Sequence, residues 1–309
     1  MRKIVVILGP TASGKTDLVK KLITKYNGEV ISADSRQIFK YMDIGTGKDK
    51  SFFQHMIDIR EPNEEYSVAE YQKEVYKIIY DIFSRGKTPF LVGGSMLYID
   101  AVLEGFEFPC ESRELRDEIE KETTVKIYNK LNKIDPISAE KNKLNRRRLI
   151  RALEVYLLNS RSQSEYRKIK PNFEYLLIGI DVPRQELYQR IDDRVDARIN
   201  EGMIEEVENL LKMGVTHKRL QSFGLEYRYI SEYLKTKNEK LKTTTQNLKL
   251  NTELEKIKQE TIQKLKYKIH AFARRQLTWW RRNKNINWIS SQSDGWRKAE
   301  KLISKYLIS

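Results

Sequence analysis

Residues Gly9-Pro10-Thr11-Ala12-Ser13-Gly14-Lys15-Thr16 follow the apolar run Ile4 to Leu8 and precede a helical pattern. Strand, glycine-bearing loop and helix in this order make a P-loop. Glycine at both ends lets the backbone wrap an anion, so that successive N–H groups and the positive end of the next helix face one phosphate-sized space. Lys15 adds a point charge, and Thr16 offers its hydroxyl to Mg²⁺. An ordinary tight turn needs neither the lysine after the second glycine nor the hydroxyl beside it. The motif leaves open whether the phosphates belong to ATP or to another diphosphate.

Further apolar runs at Glu29 to Ser32, Pro89 to Val92 and Tyr175 to Ile180 alternate with helical stretches such as Val68 to Phe83. That rhythm implies an α/β fold, a P-loop NTPase-like parallel sheet flanked by helices, with ligands at the carboxyl edge of its strands. Asp34 to Gln37 and Gly93 to Ser95 follow predicted strands and are expected to line the same crevice as the P-loop. From Cys110 to about Pro171 the sequence turns charged and helical, over Glu114 to Glu122, Val125 to Ile134 and Arg146 to Leu158. The expected organisation is a core of residues 1–109 and 172–309 around an inserted helical subdomain, 110–171. Gln185 to Met213 reads as one long amphipathic helix that Gly202 interrupts. Lys235 to Glu255 is rich in Lys, Thr and Asn without a sustained apolar face, and reads as an exposed connection or a frayed helix pair.

The 309 residues with 39% hydrophobic content suffice for a real core. No apolar run nears the roughly 18 residues of a membrane span, and the N-terminus enters a core strand directly, which leads us to expect a cytoplasmic protein without a membrane partner. A single cysteine, Cys110, excludes an intramolecular disulfide, and His55, His217 and His270 are too few for an expected zinc site. The formal net charge of +15 favours a polyanionic partner, nucleic acid foremost, although a lysine-rich solvated surface would raise the charge as well.

Asp34, just past the second strand, suits either an Mg²⁺ ligand or base near the phosphates, or a helix N-cap. The pair Gly93-Gly94 allows close backbone approach, to a ligand or between strand and helix, and Ser95 suits the cap of the next helix. Between Lys264 and Lys284 stand eight Lys and Arg residues and no acid, interleaved with Phe272, Trp279 and Trp280. Such a mixture suits RNA, or a core-facing aromatic stripe with a solvated basic face. Arg146, Arg147, Arg148 and Arg151 form a second basic cluster.

Taken together, these segments resemble the tRNA dimethylallyltransferase family, nearly end to end. The resemblance rests on Gly9 to Thr16, Ile31 to Ser35 with Met42 to Thr46, Tyr66 to Ala69 and Val92 to Tyr98. It continues through Arg151 to Val155, Leu187 to Ile191 with Arg194, Gly202 to Val207 and Ala273 to Trp279. Ser95 stands where threonine is usual, Asn145 where aspartate commonly stands, and Ser222 to Tyr227 departs from the frequent Gly-Tyr-Lys-Glu pattern.

The resemblance implies transfer of a dimethylallyl group from dimethylallyl diphosphate to N6 of adenosine 37 in tRNA, with pyrophosphate released. Gly9, Pro10, Thr11, Ala12, Ser13, Gly14, Lys15 and Thr16 then hold the diphosphate, and Thr16 contributes to Mg²⁺. Asp34, Arg194, Lys15 and Thr11 form the implied catalytic set, with Asp34 as base and Arg194 as a clamp on the diphosphate. Implied contacts to the tRNA anticodon stem-loop are Asp34, Ser35, Arg36, Gln37, Ser95, Arg116, Arg147, Arg148, Leu149, Ile150 and Arg151. To these the resemblance adds Gln221, Ser222, Phe223, Gly224, Leu225 and Glu226, then Arg274, Arg275, Gln276, Leu277, Thr278, Trp279, Trp280 and Arg281. A monomer is expected. The rival readings are an ATP-dependent small-molecule or nucleoside kinase, which leaves the basic aromatic C-terminus idle, and a noncatalytic RNA-binding ATPase, which gives Asp34 and Arg194 no task.

Overall fold

A computed structural model of the chain describes residues 2–162, 165–243 and 248–308. It divides into two compact units, one of residues 1–100 with 172–309 and one of residues 101–171.

The first unit opens with β1 (Lys3–Leu8), whose every residue is buried, as a central parallel strand covered on both faces requires. The P-loop follows and leads into α1 (Lys15–Lys25), entered through Gly14 at φ 87°, a left-handed conformation that favours glycine. Next come β2 (Gly28–Ala33), the two-residue β3 (Gln54–His55) and α2 (Val68–Ser84). Ser67 and Glu70 start α2 with a capping box, each side chain accepting from the other's backbone N–H at 3.2 and 2.8 Å. The motif Tyr66 to Ala69 thus has a local structural task. β4 (Thr88–Gly93) and α3 (Met96–Glu104) lead into the second unit.

That unit holds α4 (Arg113–Glu120), α5 (Thr124–Ile134), α6 (Pro136–Asn142) and α7 (Arg146–Asn159). Side chains of Ser112, Thr123, Asp135 and Asn145 cap the four N-termini. Asn145 accepts from Arg148 N at 3.1 Å, so it caps as an aspartate would. Ile119, Ile127, Leu131, Ala139, Leu149 and Leu153 close a core belonging to this unit alone. Its entry and exit segments pair with each other: Ile169 N donates to Gly105 O at 2.7 Å and Glu107 N to Arg167 O at 3.0 Å.

The chain returns to the sheet through β5 (Glu174–Asp181), then runs through α8 (Arg184–Asn200), α9 (Met203–Lys212), α10 (His217–Phe223) and α11 (Leu225–Thr243). The long amphipathic pattern is two helices, broken where Gly202 takes φ 102°. α12 (Leu248–Trp280), β6 (Asn287–Ser290) and α13 (Ser293–Ile308) complete the fold. Lys235 to Glu255 is helical on both sides, with residues 244–247 outside the described residues. Among the described residues no helix is long and apolar enough to cross a membrane.

All six strands are parallel in the order β3-β2-β4-β1-β5-β6. Leu8 on β1 and Ala33 on β2 both pair with Gly93 on β4, so the three strands end in register and deliver their loops to one edge. Gly93 sits there because a Cβ would meet Ala33 O at 2.1 Å. Its glycine serves strand packing.

Candidate active site

At that edge Lys15 turns back over the P-loop, its Nζ donating to Gly9 O at 3.0 Å and Pro10 O at 2.8 Å. Burial, and then the nearby Arg194 guanidinium, push the Lys15 ammonium down to about 7. Arg194 on α8 donates to Thr11 Oγ1, and burial with neighbouring Arg198 brings it down to about 9. The buried Arg194 Nε and Ser13 Oγ find no hydrogen-bond partner among the described residues. Two strained cations and an unpaired hydroxyl around one loop are the electrostatics of a site built for an anion.

Across the cavity stands Asp34. No helix follows it; its Oδ1 accepts from Arg36 N at 2.9 Å and fixes a turn, so of the two roles open to it in the sequence it does not take the helix N-cap. Ser95 likewise caps no helix with its hydroxyl: Oγ accepts from Ser35 N at 3.0 Å, while Ser95 N donates to Ala33 O. The loops after β2 and β4 are thereby tied together beside Asp34. Gln37 is held by Ser32 Oγ, which donates to its Oε1 at 2.9 Å.

Behind the turn lies a buried ion cluster. Arg36 Nη1 meets Glu226 Oε2 at 2.5 Å, and Arg198 Nη1 meets Glu226 Oε1 at 3.2 Å. Burial raises the Glu226 carboxyl, but Arg36 and Arg198 outweigh it and hold it below its usual value. The cluster ties the Asp34 turn to α11 and α8. Glu206 on α9 accepts from the backbone N–H groups of Asp43, Ile44 and Gly45 at 2.7 to 3.0 Å, so Met42 to Gly47 is a fixed wall.

The cavity so framed has a volume of about 420 Å³. Thr11, Ser13, Lys15, Thr16, Asp34 and Arg194 all line it, together with Ser35 to Gln37, Gly93 to Ser95 and Gln276. Arg190 and Phe272 line it too, beyond the expected set. Arginines at 190, 194 and 198 stand four apart on one helix, and Phe272 stands four before Gln276, so helical spacing carries the missing signal.

The implied RNA contacts divide by exposure. Arg147, Arg148, Arg274, Arg275, Thr278, Trp279, Arg281 and Ser222 are exposed or partly so. Leu149, Ile150, Glu226, Gln276 and Trp280 are buried, so their side chains form no part of an outer RNA face. Leu149 and Ile150 fill the core of the second unit. Arg116 and Arg151 converge on the fully buried Glu154 at 3.1 and 3.0 Å, and hold its carboxyl down against the burial that raises it. Gln276 bridges two loops of the cavity, with Oε1 accepting from Thr11 N at 3.0 Å and Nε2 donating to Gly94 O at 2.7 Å. Trp279 extends outward and donates its Nε1 to Asp100 at 2.7 Å. The basic C-terminal segment is therefore both a solvated cationic face and a core stripe.

The family model for IPP transferase matches residues 37–283. The chain belongs to the IPP transferase family. Among IPP transferase relatives, the tRNA dimethylallyltransferase of Halothermothrix orenii is 41% identical, over 98% of this chain and 92% of its own. That of Acetivibrio thermocellus is 39% identical, covering 100% of this chain and 98% of its own. The solved full-length tRNA isopentenylpyrophosphate transferase of Bacillus halodurans superposes with a TM-score of 0.68 at 33% identity, over 100% of this chain and 99% of that one. A eukaryotic dimethylallyltransferase solved while acting on tRNA gives a TM-score of 0.77 at 28% identity, over 95% of this chain and 75% of its own. These relatives lend no support to the kinase or switch-ATPase readings.

Proposed function

We propose that this chain transfers a dimethylallyl group from dimethylallyl diphosphate to N6 of adenosine 37 in the anticodon loop of tRNA. One observation carries the reading: a carboxylate, Asp34, faces the anion-binding cations Lys15 and Arg194 within a single cavity. A kinase also needs the cradle, but the family's prenyl chemistry uses the cradle for the leaving group.

The adenine N6 lone pair is delocalised into the ring, so the amine is a poor nucleophile. Asp34 accepts an N6 proton as the nitrogen–carbon bond forms. The allylic carbon–oxygen bond breaks and its electron pair leaves with the diphosphate. Lys15, Arg194 and the P-loop N–H groups stabilise the growing negative charge, the Lys15 ammonium being restored as the anion arrives. Arg194 is placed by Thr11, and the Asp34 turn by Arg36 N.

Thr16 is the residue that would hold Mg²⁺. Among the described residues no group of three His, Cys, Asp or Glu could hold a metal, so an ion bound here would depend on the Thr16 hydroxyl and the substrate's phosphates. When bound there it would neutralise charge on the departing diphosphate.

Adenosine 37 must leave the base stack to reach Asp34. The exposed arginines of α12 and α7 are the surfaces that would hold the surrounding phosphates. The test incubates an anticodon stem-loop RNA and Mg²⁺ with either dimethylallyl diphosphate or ATP, then analyses nucleosides by mass. Prenylated adenosine is expected with the first donor. ATP consumption without prenylation would overturn the assignment.

A further inference from the structure

We propose that Gln276 is a positioning residue of the diphosphate site and not an RNA contact, an inference that rests on the reading above and deepens it. Gln276 lies on the helix whose neighbouring residues Arg274, Arg275 and Thr278 are exposed, yet it is itself 1% exposed. Both polar atoms of its side chain are used: Oε1 takes the Thr11 N–H at 3.0 Å and Nε2 reaches Gly94 O at 2.7 Å. The amide thus bridges the loop after β1 to the loop after β4.

The contact fixes Thr11 in a way that matters for the donor. With its N–H engaged by Gln276, Thr11 has no backbone donor left for a phosphate and serves as an anchored shoulder of the cavity it lines, while its hydroxyl receives Arg194. Gly94 leaves room for the bridge, since a Cβ there would meet Gln276 Nε2 at 2.7 Å. A buried amide with both ends satisfied specifies one geometry, and an apolar replacement leaves two loop groups without partners. Gln276 accordingly sets the clamp, Arg194 on Thr11, relative to the strand edge that carries Ser95.

The two roles for Gln276 separate by substrate. Gln276→Met keeps the length and cannot bridge the loops. Its dissociation constant for Mg-pyrophosphate, measured by calorimetry, is expected to rise roughly tenfold or more, since two loop groups lose their partner. The KM for dimethylallyl diphosphate rises with it, and affinity for the anticodon stem-loop stays unchanged. Lost RNA affinity with normal pyrophosphate affinity would overturn the proposal, as would no change in either. If Gln276→Met fails to fold, Gly94→Ala crowds the Nε2 end of the same amide and is expected to weaken pyrophosphate with RNA binding intact; normal pyrophosphate binding there counts against the bridge. Both affinities are equilibrium quantities that need no turnover. A wild-type protein that binds pyrophosphate and RNA but prenylates nothing would sink the functional reading while leaving the bridge testable.

Discussion

Arg194, midway along α8, donates a guanidinium N–H to the hydroxyl of Thr11 in the P-loop. A residue far along the chain thereby sets a cation beside Lys15, and the two repel one another. Removing this guanidinium as Arg194→Ala is expected to lower turnover by about 100-fold or more, the scale of losing one preorganised charge donor. Rapid-quench single-turnover measurement checks it, with circular dichroism reporting an unchanged fold.

Lys15 also makes stability depend on pH. Its folded value of about 7 lies below the usual 10.5, so between those limits the unfolded chain binds more protons, and stability rises with pH. Lys15→Met abolishes that rise. The variant without ligand is therefore expected to be more stable than wild type near pH 7, with the advantage shrinking toward pH 10.5. Urea midpoints at three pH values decide it; parallel curves for the two proteins would count against a depressed lysine.

Asp34→Asn separates shape from charge, because an amide oxygen still accepts from Arg36 N and keeps the turn. Turnover is expected to fall by roughly 10² to 10⁴, the span of a lost general base. A near-normal single-turnover rate would take Asp34 out of the chemistry.

In the second unit, exposure distinguishes adjacent residues of α7. The double change Arg147→Ala with Arg148→Ala should flatten the slope of log affinity for RNA against log salt by about 0.7 to 0.9 for each phosphate left unneutralised. Leu149→Ala should instead cost about 2–5 kcal/mol of stability and leave the salt slope alone. Fluorescence anisotropy over a salt series, beside denaturant melts, resolves the two; a reduced slope in Leu149→Ala would contradict the burial of that side chain.

Glu226→Gln leaves Arg36 and Arg198 facing each other without a carboxylate. Breaking such a buried cluster is expected to destabilise by about 3–5 kcal/mol. Equal denaturation midpoints for variant and wild type would show that the cluster is not what holds the Asp34 turn.

Much of this fold is legible in the sequence where a local rule acts alone. The apolar run Ile4 to Leu8, the P-loop and the break at Gly202 each follow from a residue type in its own neighbourhood. β3 and β6 leave no such trace, because two and four residues give no periodicity and pair only where the sheet supplies a neighbour. Lys15 and Asp34 are placed in one crevice by the strands they follow, whereas Arg194 rests on family resemblance, since no local pattern relates it to residues so far back in the chain. Glu226 and Gln276 are counted among the RNA contacts by the family resemblance alone, which assigns whole segments and does not separate an outward side chain from a buried one. A buried polar side chain inside such a segment is recognised only by its partners, Arg36 with Arg198 in one case and Thr11 with Gly94 in the other.

The antiparallel pairing around Gly105 and Ile169 means that the helical unit leaves the chain and rejoins it at nearly the same point. Viewed from the chain on either side, the intervening residues amount to a closed loop whose ends are fixed, so its length adds little to the entropy of closure, which grows only logarithmically. Helices can be added to or removed from such a loop without disturbing the register of the strands on either side. The geometry gives evolution, or an engineer, a place to exchange one helical insert for another while the P-loop keeps its sequence.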